Sequence, residues 1–385
     1  MPDRIYMDWN ATAPLRREAR EAMTAAFESC GNPSSVHAEG RKARSLVESA
    51  RHAVAAAVGA RPRDVIFTSG GTEANALALQ PGLRKGQYPP IKRLLISAIE
   101  HASVLSGGSF PRGAVDTIGV TACGLVDIGR LRELLRGRPP AMVSLMLANN
   151  ETGAIQPVAE AAEIVHGEGG LLHVDAIQAF GKIPLDIMEL NADLITLSAH
   201  KIGGPKGVGV LVLSEGLGGL EPLLRGGGQE LSRRAGTENV AGIAGFGAAV
   251  RAAIAAMGTD AARAESLRRR LEDGLRETPG TVVFSDSVLR LPNTTLATVP
   301  GLKAETAVIG FDLAGIAVSS GSACSSGKVQ PSHVLEAMGF KGEIAQGAVR
   351  FSLGWSTREA DINRCVEAWR KLAGNLLKEQ RRNTA

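Results

Sequence analysis

The sequence predicts an α/β protein whose sheet is mainly parallel and covered by helices. Three observations carry this. From about residue 40 onward, apolar runs of strand length alternate with amphipathic stretches. The 46 glycines are scattered between these runs, as tight strand–helix turns require, and are not gathered into a low-complexity tract. Hydrophobic residues make up 44% of the chain but aromatics only 4%, so the core is built from Ala, Val, Leu and Ile.

In chain order, residues 41–58 read as an amphipathic helix stopped by Gly59, and residues 64–68 as a short apolar strand. Ser69-Gly70-Gly71-Thr72 turns that strand into a helix over 73–79. Further strands are expected at 93–97, 114–118, 142–147, 171–174, 194–197 and 208–213, with helices such as 158–166 between them. An Ala- and Gly-rich helix is expected over 240–257 and a separate, charged amphipathic helix over 261–277. The second of these leads into a smaller domain. There, strands are expected at 281–284, 294–298 and 349–353, a helix over 304–311 and a terminal helix from Arg358. The length of 385 residues suits two domains, and no repeat or disordered linker separates them.

Composition narrows the function classes. The 43 Lys and Arg against 39 Asp and Glu leave a net charge of +4, too mild to argue for nucleic acid. The densest basic cluster, Arg268-Arg269-Arg270, has acids nearby and reads as a solvated helix face. The basic run at 378–382 reads as a frayed helix end or a contact for an acidic partner. Cys30, Cys123, Cys324 and Cys365 match no zinc or CxxC spacing, and four thiols in so long a chain suit a reducing compartment. The N-terminal segment with Asp3, Arg4 and Asp8 has no apolar signal core, and no uninterrupted apolar stretch reaches membrane-spanning length. The expectation is a cytoplasmic protein with no membrane or direct nucleic-acid partner.

Six stretches carry chemistry. Ser198-Ala199-His200-Lys201-Ile202-Gly203-Gly204 delivers a lysine from a strand end into a glycine-lined turn, where its amine is placed to condense with a carbonyl cofactor. On its own the segment reads more readily as a loop of solvated lysines, Lys201 and Lys206. Thr68-Ser69-Gly70-Gly71-Thr72 brings free N–H groups and a hydroxyl to a helix start, an anion site suited to phosphate that lacks the Walker spacing. His173-Val174-Asp175-Ala176-Ile177-Gln178 puts an acid at a strand end, which either meets a cation such as a protonated pyridine nitrogen or caps a helix. Asn149-Asn150 offers amides for a phenolic oxygen, or simply marks a turn. His101 follows another strand and suits stacking on an aromatic cofactor and proton transfer. Cys324 lies among small polar residues, Ser319-Ser320-Gly321-Ser322-Ala323-Cys324-Ser325-Ser326-Gly327, a setting that favours an exposed, movable thiol.

Together these residues resemble the cysteine desulfurases, pyridoxal-phosphate enzymes of the class V aminotransferase group. The likeness runs from Tyr6-Met7-Asp8 to Arg350-Phe351-Ser352 and includes Asn32-Pro33-Ser34-Ser35-Val36-His37 with Gly40-Arg41-Lys42. The long small-residue stretch around Cys324 is similar to the group I branch, the iron–sulfur-cluster and nitrogen-fixation type.

The resemblance implies a fold-type I pyridoxal-phosphate transferase. Its large domain (15–257) would carry a mainly parallel seven-stranded sheet. A smaller α+β domain (1–14 and 258–385) would carry a mobile cysteine loop at about 319–331. It implies that Lys201 condenses with the cofactor aldehyde, Asp175 pairs with the ring nitrogen, and His101 stacks on the ring and moves protons. Asn150 and Gln178 are implied at the phenolic oxygen, and Gly71, Thr72, Ser198 and His200 at the phosphate. Thr237 is implied to reach the phosphate of a neighbouring subunit, hence a homodimer. Arg350, with Asn32 assisting, is implied to bind the substrate carboxylate. No metal site of the chain's own is expected, although Cys324 is a candidate ligand to an iron–sulfur cluster shared with a scaffold.

The reaction implied takes L-cysteine to L-alanine. Lys201 removes the α-proton, and Cys324 attacks the substrate sulfur and becomes a persulfide. An acceptor for iron–sulfur assembly or tRNA thiolation then takes the sulfur. The rivals are a class V aminotransferase or selenocysteine lyase, a nicotinamide-dependent dehydrogenase and a catalytically silent sulfur scaffold. The first needs no mobile cysteine. For the dehydrogenase, the glycines at 242, 245 and 247 lack the dinucleotide spacing. One departure stands out: Gly227-Gly228-Gln229-Glu230 is usually followed by arginine in the family, and here Leu231 follows.

Overall fold

The computed structural model describes residues 4–321 and 331–383, with side chains up to residue 374. Cys324 and most of the expected cysteine loop lie outside the described residues.

The apolar runs form one seven-stranded sheet. Its strands are β1 (Val65–Thr68), β2 (Arg93–Ser97), β3 (Val115–Ile118), β4 (Ala141–Met146), β5 (Leu171–Asp175), β6 (Leu194–Ser198) and β7 (Gly209–Leu213). Their spatial order is β1-β7-β6-β5-β4-β2-β3. Only β7 runs antiparallel to its neighbours; β6, β5, β4, β2 and β3 are mutually parallel. Strands β4 to β7 are buried at every position, as a sheet covered on both faces requires. One core lies on the face containing Val143, Leu172, Ile195 and Val210, and another on the face containing Leu94, Met142, Leu194 and Leu211. The alternation within each strand assigns those side chains to opposite faces. Gly209 is required in β7, because a Cβ there would sit 2.4 Å from the Gly70 carbonyl carbon.

A second, four-stranded antiparallel sheet contains β8 (Val282–Val283), β9 (Thr294–Thr298), β10 (Ser319–Ser320) and β11 (Val349–Ser352) in the order β8-β9-β11-β10. Its core includes Phe311, Phe351 and Trp369, stacked edge-on at centroid distances of 5.4 and 6.1 Å. The N-terminal segment joins this unit: Ile5–Tyr6 pairs in parallel with Ile316–Ala317.

One expectation is corrected. The helices predicted at 240–257 and 261–277 are one continuous helix, α1 (Val240–Arg276), of 37 residues. Gly258 and Asp260 read as a break in sequence. However, Ile243, Phe246, Ala249, Val250 and Ala253 on one side of them pack into the core beneath the large sheet, and Leu267, Leu271 and Leu275 on the other into the small one. Burial at both ends outweighs the roughly 1 kcal/mol cost of a mid-helix glycine. The same helix is long and apolar enough by composition to cross a membrane, but Arg251 interrupts it and 56% of that window is buried inside the protein. The remaining expected elements are present with ends shifted by a few residues. Helices Arg17–Phe27 and Ile128–Leu135 were not anticipated.

Candidate active site

The parallel strands aim their carboxyl ends at one cleft of about 630 Å³, where α/β sheets characteristically bind ligands. It is lined by Gly71, Thr72, His101, Asn150, Asp175, Gln178, Ser198, His200 and Lys201, with Ser103, Met146, Ala148 and Ile177. Nine of the expected site residues, from segments more than a hundred residues apart, therefore share one wall. Each sits where a strand gives way to a turn: His101 after β2, Asn150 after β4, Asp175 at the end of β5, and Ser198 to Lys201 as β6 becomes a single 3-10 turn.

Gly71 opens the helix Gly71–Ala78, and a Cβ there would fall 2.3 Å from Ile177 Cδ1. A larger residue would therefore displace the end of Ile177, another residue of the cleft lining.

Asp175 is buried, and burial raises its carboxyl above the usual range. The Asn75 side chain, the Ile177 N–H, His101 and Lys201 oppose that rise. Asn75 Nδ2 donates to Asp175 Oδ2 at 2.8 Å and Ile177 N to Asp175 Oδ1 at 3.0 Å. A cation placed in the cleft would complete this partnership.

His101 Nδ1 accepts from Ser103 N at 3.2 Å and lies 2.8 Å from Ser103 Oγ. An acceptor Nδ1 leaves the proton of the neutral ring on Nε2. His200 is pushed down to about 4 by burial and then by Lys201 and Lys206, so it is a neutral ring near pH 7. Its Nδ1 lies 3.2 Å from Thr12 Oγ1. Lys201 Nζ donates to the carbonyl oxygens of Asn10 and Ala11 at 2.5 and 2.9 Å.

Other expected residues lie elsewhere. Arg350 on β11 is almost fully buried and outside the cleft lining. Its Nη2 meets Asp8 Oδ1 at 2.8 Å and its Nη1 donates to the Asn150 carbonyl at 3.0 Å, while Nε is buried with no hydrogen-bond partner among the described residues. Asn32 is exposed, and its Oδ1 accepts from Ser34 N at 2.9 Å. Thr237 is exposed as well. Leu231 is 65% exposed at φ 55°, beside Glu230, whose carboxylate is buried against Arg51.

Three residues that sequence reasoning missed complete the site. Asn75 also donates to Ser103 Oγ at 2.9 Å and accepts from Thr196 Oγ1 at 2.6 Å, joining Asp175 to the His101 support. Asn10 reaches Lys201, Gln178, Thr294 and Ser352, which ties the N-terminal segment to both sheets. Lys182 donates to Gln178 Oε1 and Asn10 Oδ1. Asn75 lies one turn into the helix behind Gly71-Thr72, which was a usable signal; nothing local marks Asn10 or Lys182.

The aminotransferase class-V family matches residues 5–365. A cysteine desulfurase of Cereibacter sphaeroides is 44% identical over 95% of this chain and 94% of its own length. The cysteine desulfurase IscS of Dictyoglomus turgidum is 39% identical over 98% and 96%. The X-ray structure of a NifS-like protein from Rickettsia africae superposes with a TM-score of 0.86 at 36% identity, covering 96% of this chain and 99% of that one.

Proposed function

We infer the reaction from kinship and site together: this chain belongs to the class-V aminotransferase family and, within it, to the cysteine desulfurases. It takes sulfur from L-cysteine, releases L-alanine and carries the sulfur as an enzyme persulfide. The observation that supports this most is the meeting of Lys201, Asp175 and His101 in one cleft at the carboxyl ends of strands of the same sheet.

The residues present fit pyridoxal phosphate. Gly71 keeps side chains away from the tip of Ile177, burial raises the Asp175 carboxyl so that a further cation would stabilise it, and Thr72 at the start of the helix Gly71–Ala78 lines the same cleft as Ser198 and His200, a setting suited to an anion. When bound, this cofactor supplies an electron sink that weakens the bonds at the substrate's α-carbon. Asp175 would hold the ring nitrogen's proton, and His101 would pack on the ring with its proton on Nε2. Asn150 and Gln178 would face the phenolic oxygen. Lys201 Nζ would anchor the cofactor and then carry the α-proton. Cys324 would attack the substrate sulfur as a thiolate. The C–S bond breaks, the carbon side keeps the electron pair and takes a proton, and the sulfur remains on Cys324 as the persulfide.

Arg350 would receive the substrate carboxylate by exchanging its contacts to Asp8 and Asn150, with Asn32 assisting. Thr237, exposed and away from its own cleft, would complete the phosphate site of a second copy in a homodimer. A cytoplasmic setting and a sulfur acceptor in iron–sulfur assembly or tRNA thiolation belong to the same reading. So does a division between 15–257 and the flanking segments 1–14 and 258–385, crossed by α1.

Borohydride reduction followed by peptide mapping tests the reading. The pyridoxyl tag is expected on Lys201, and a tag elsewhere or none overturns it. Cys324→Ser is expected to bind the cofactor but stop alanine and sulfide production. Undiminished alanine output from that variant rules out the persulfide role.

A further inference from the structure

We propose that Lys182 is a positioning residue: it holds the amide of Gln178 so that an N–H, and not the carbonyl, faces the oxygen of the cofactor. The inference rests on the pyridoxal reading above and adds a residue to it.

Gln178 and Lys182 lie four residues apart in the irregular turn that follows β5. Lys182 Nζ donates to Gln178 Oε1 at 3.0 Å and to Asn10 Oδ1 at 3.1 Å. The other end of the Gln178 amide is fixed as well, because Nε2 donates to the Asn10 carbonyl oxygen at 3.0 Å. A backbone carbonyl only accepts, so Nε2 must face it and Oε1 must face Lys182. One N–H of Gln178 is then left over, on a residue that lines the cleft. Rotating the amide by half a turn would set Gln178 Oε1 against the Asn10 carbonyl oxygen, acceptor against acceptor, and point the Gln178 oxygen at whatever anionic oxygen the cleft holds.

Lys182 is itself fastened by the Asn10 side chain. Asn10 Nδ2 donates to Thr294 Oγ1 at 2.9 Å, and Asn10 Oδ1 also accepts from Asn293 Nδ2 at 3.2 Å. Burial, then Lys201 and Arg350, push the Lys182 ammonium well below its ordinary range. The nearby acids are engaged elsewhere: Asp8 with Arg350, Asp260 with Arg16 across the neighbouring cavity, and Asp175 with Asn75. Charged or neutral, Lys182 has two N–H groups for the two amide oxygens it meets.

The test is the pH midpoint of the bound cofactor's visible absorption band in the holoenzyme. An N–H donor to the phenolic oxygen, with a cationic or dipolar neighbour behind it, favours the deprotonated chromophore. Lys182→Met is therefore expected to raise the midpoint by about one pH unit, a tenfold gain in proton affinity. Gln178→Leu is expected to give a similar shift, and the double variant no more than either alone, since both changes remove one donor. Lys182→Gln, which keeps an N–H for Gln178 Oε1 and needs no buried cation, is expected to return the midpoint toward wild type and serves if Lys182→Met does not fold. An unmoved midpoint in Lys182→Met, or additive shifts in the double variant, overturns the inference. A wild-type enzyme with no pyridoxyl tag on Lys201 overturns the underlying reading instead, so the two failures are separable.

Discussion

Asn75 and Asp175, 100 residues apart in sequence, share a 2.8 Å hydrogen bond in which the amide nitrogen donates to the carboxylate. The bond favours the charged carboxylate against the burial that raises its pKa. The second proton on the same nitrogen serves Ser103 Oγ, which supports His101. One amide thus holds both the Asp175 carboxylate and, through Ser103, the His101 imidazole.

Asn75→Ala is expected to push the Asp175 carboxyl further up and to weaken pyridoxal phosphate binding. A hydrogen bond to a charged group contributes about 1.5–3 kcal/mol, or about 10- to 100-fold in affinity. Equilibrium dialysis of the cofactor measures it. Affinity within threefold of wild type would show that Asn75 does not keep Asp175 ready.

Glu100 should make stability fall as pH rises. It is fully buried next to His101, and its carboxyl is raised from 4.5 to about 8, by desolvation first, while Ser97 and the Met146 N–H oppose the rise. The folded state therefore binds a proton that the unfolded state releases. This contribution is complete below pH 4.5 and is lost as pH rises through about 8. Glu100→Gln imitates the protonated form, so its stability relative to wild type is expected to grow between pH 5 and 8, with a slope of at most about 1.4 kcal/mol per pH unit. Urea unfolding of the cofactor-free protein at both pH values checks this; parallel stability curves contradict it.

Arg51 and Glu230 form a buried bidentate pair at 2.7 and 2.9 Å, with the guanidinium 4.9 Å from the Phe67 ring centroid. Glu230 also accepts from Phe67 N at 3.0 Å, so it ties its own loop to β1. Removing one partner leaves the other charge buried and unpaired, which costs about 3–5 kcal/mol. Arg51→Met and Glu230→Ala are each expected to lower the urea midpoint accordingly, and a loss under 1 kcal/mol would mean that water replaces the missing partner.

Gly258 lies on an exposed turn of α1, and a Cβ there would meet nothing within 4 Å. Gly258→Ala is expected to stabilise the protein by about 0.5–1 kcal/mol through helix propensity alone. A destabilised variant would indicate that α1 bends at this point in solution.

Much of the site was legible in the sequence because catalytic side chains at strand ends leave local marks. Lys201, Asp175 and His101 each follow an apolar run and precede a turn, and Gly71-Thr72 opens a helix after a strand. The order of strands and helices was equally plain, since burial on both faces demands continuous apolar runs. Chain pattern did not reveal the unity of α1, because a glycine and an aspartate in an exposed turn read as a stop. Only the two separate cores it joins explain why the helix continues.

What the amino-acid order determined by itself was the α/β architecture and the residue types delivered to each strand end, because side-chain periodicity and turn chemistry act over a few residues. Tertiary structure alone decided which amides hold those residues in place. Asn10 bonds Thr294 and Ser352, and Asn75 bonds Asp175, across separations of 284, 342 and 100 residues. A buried polar group must find a partner wherever the packed chain brings one, and no local pattern records that choice.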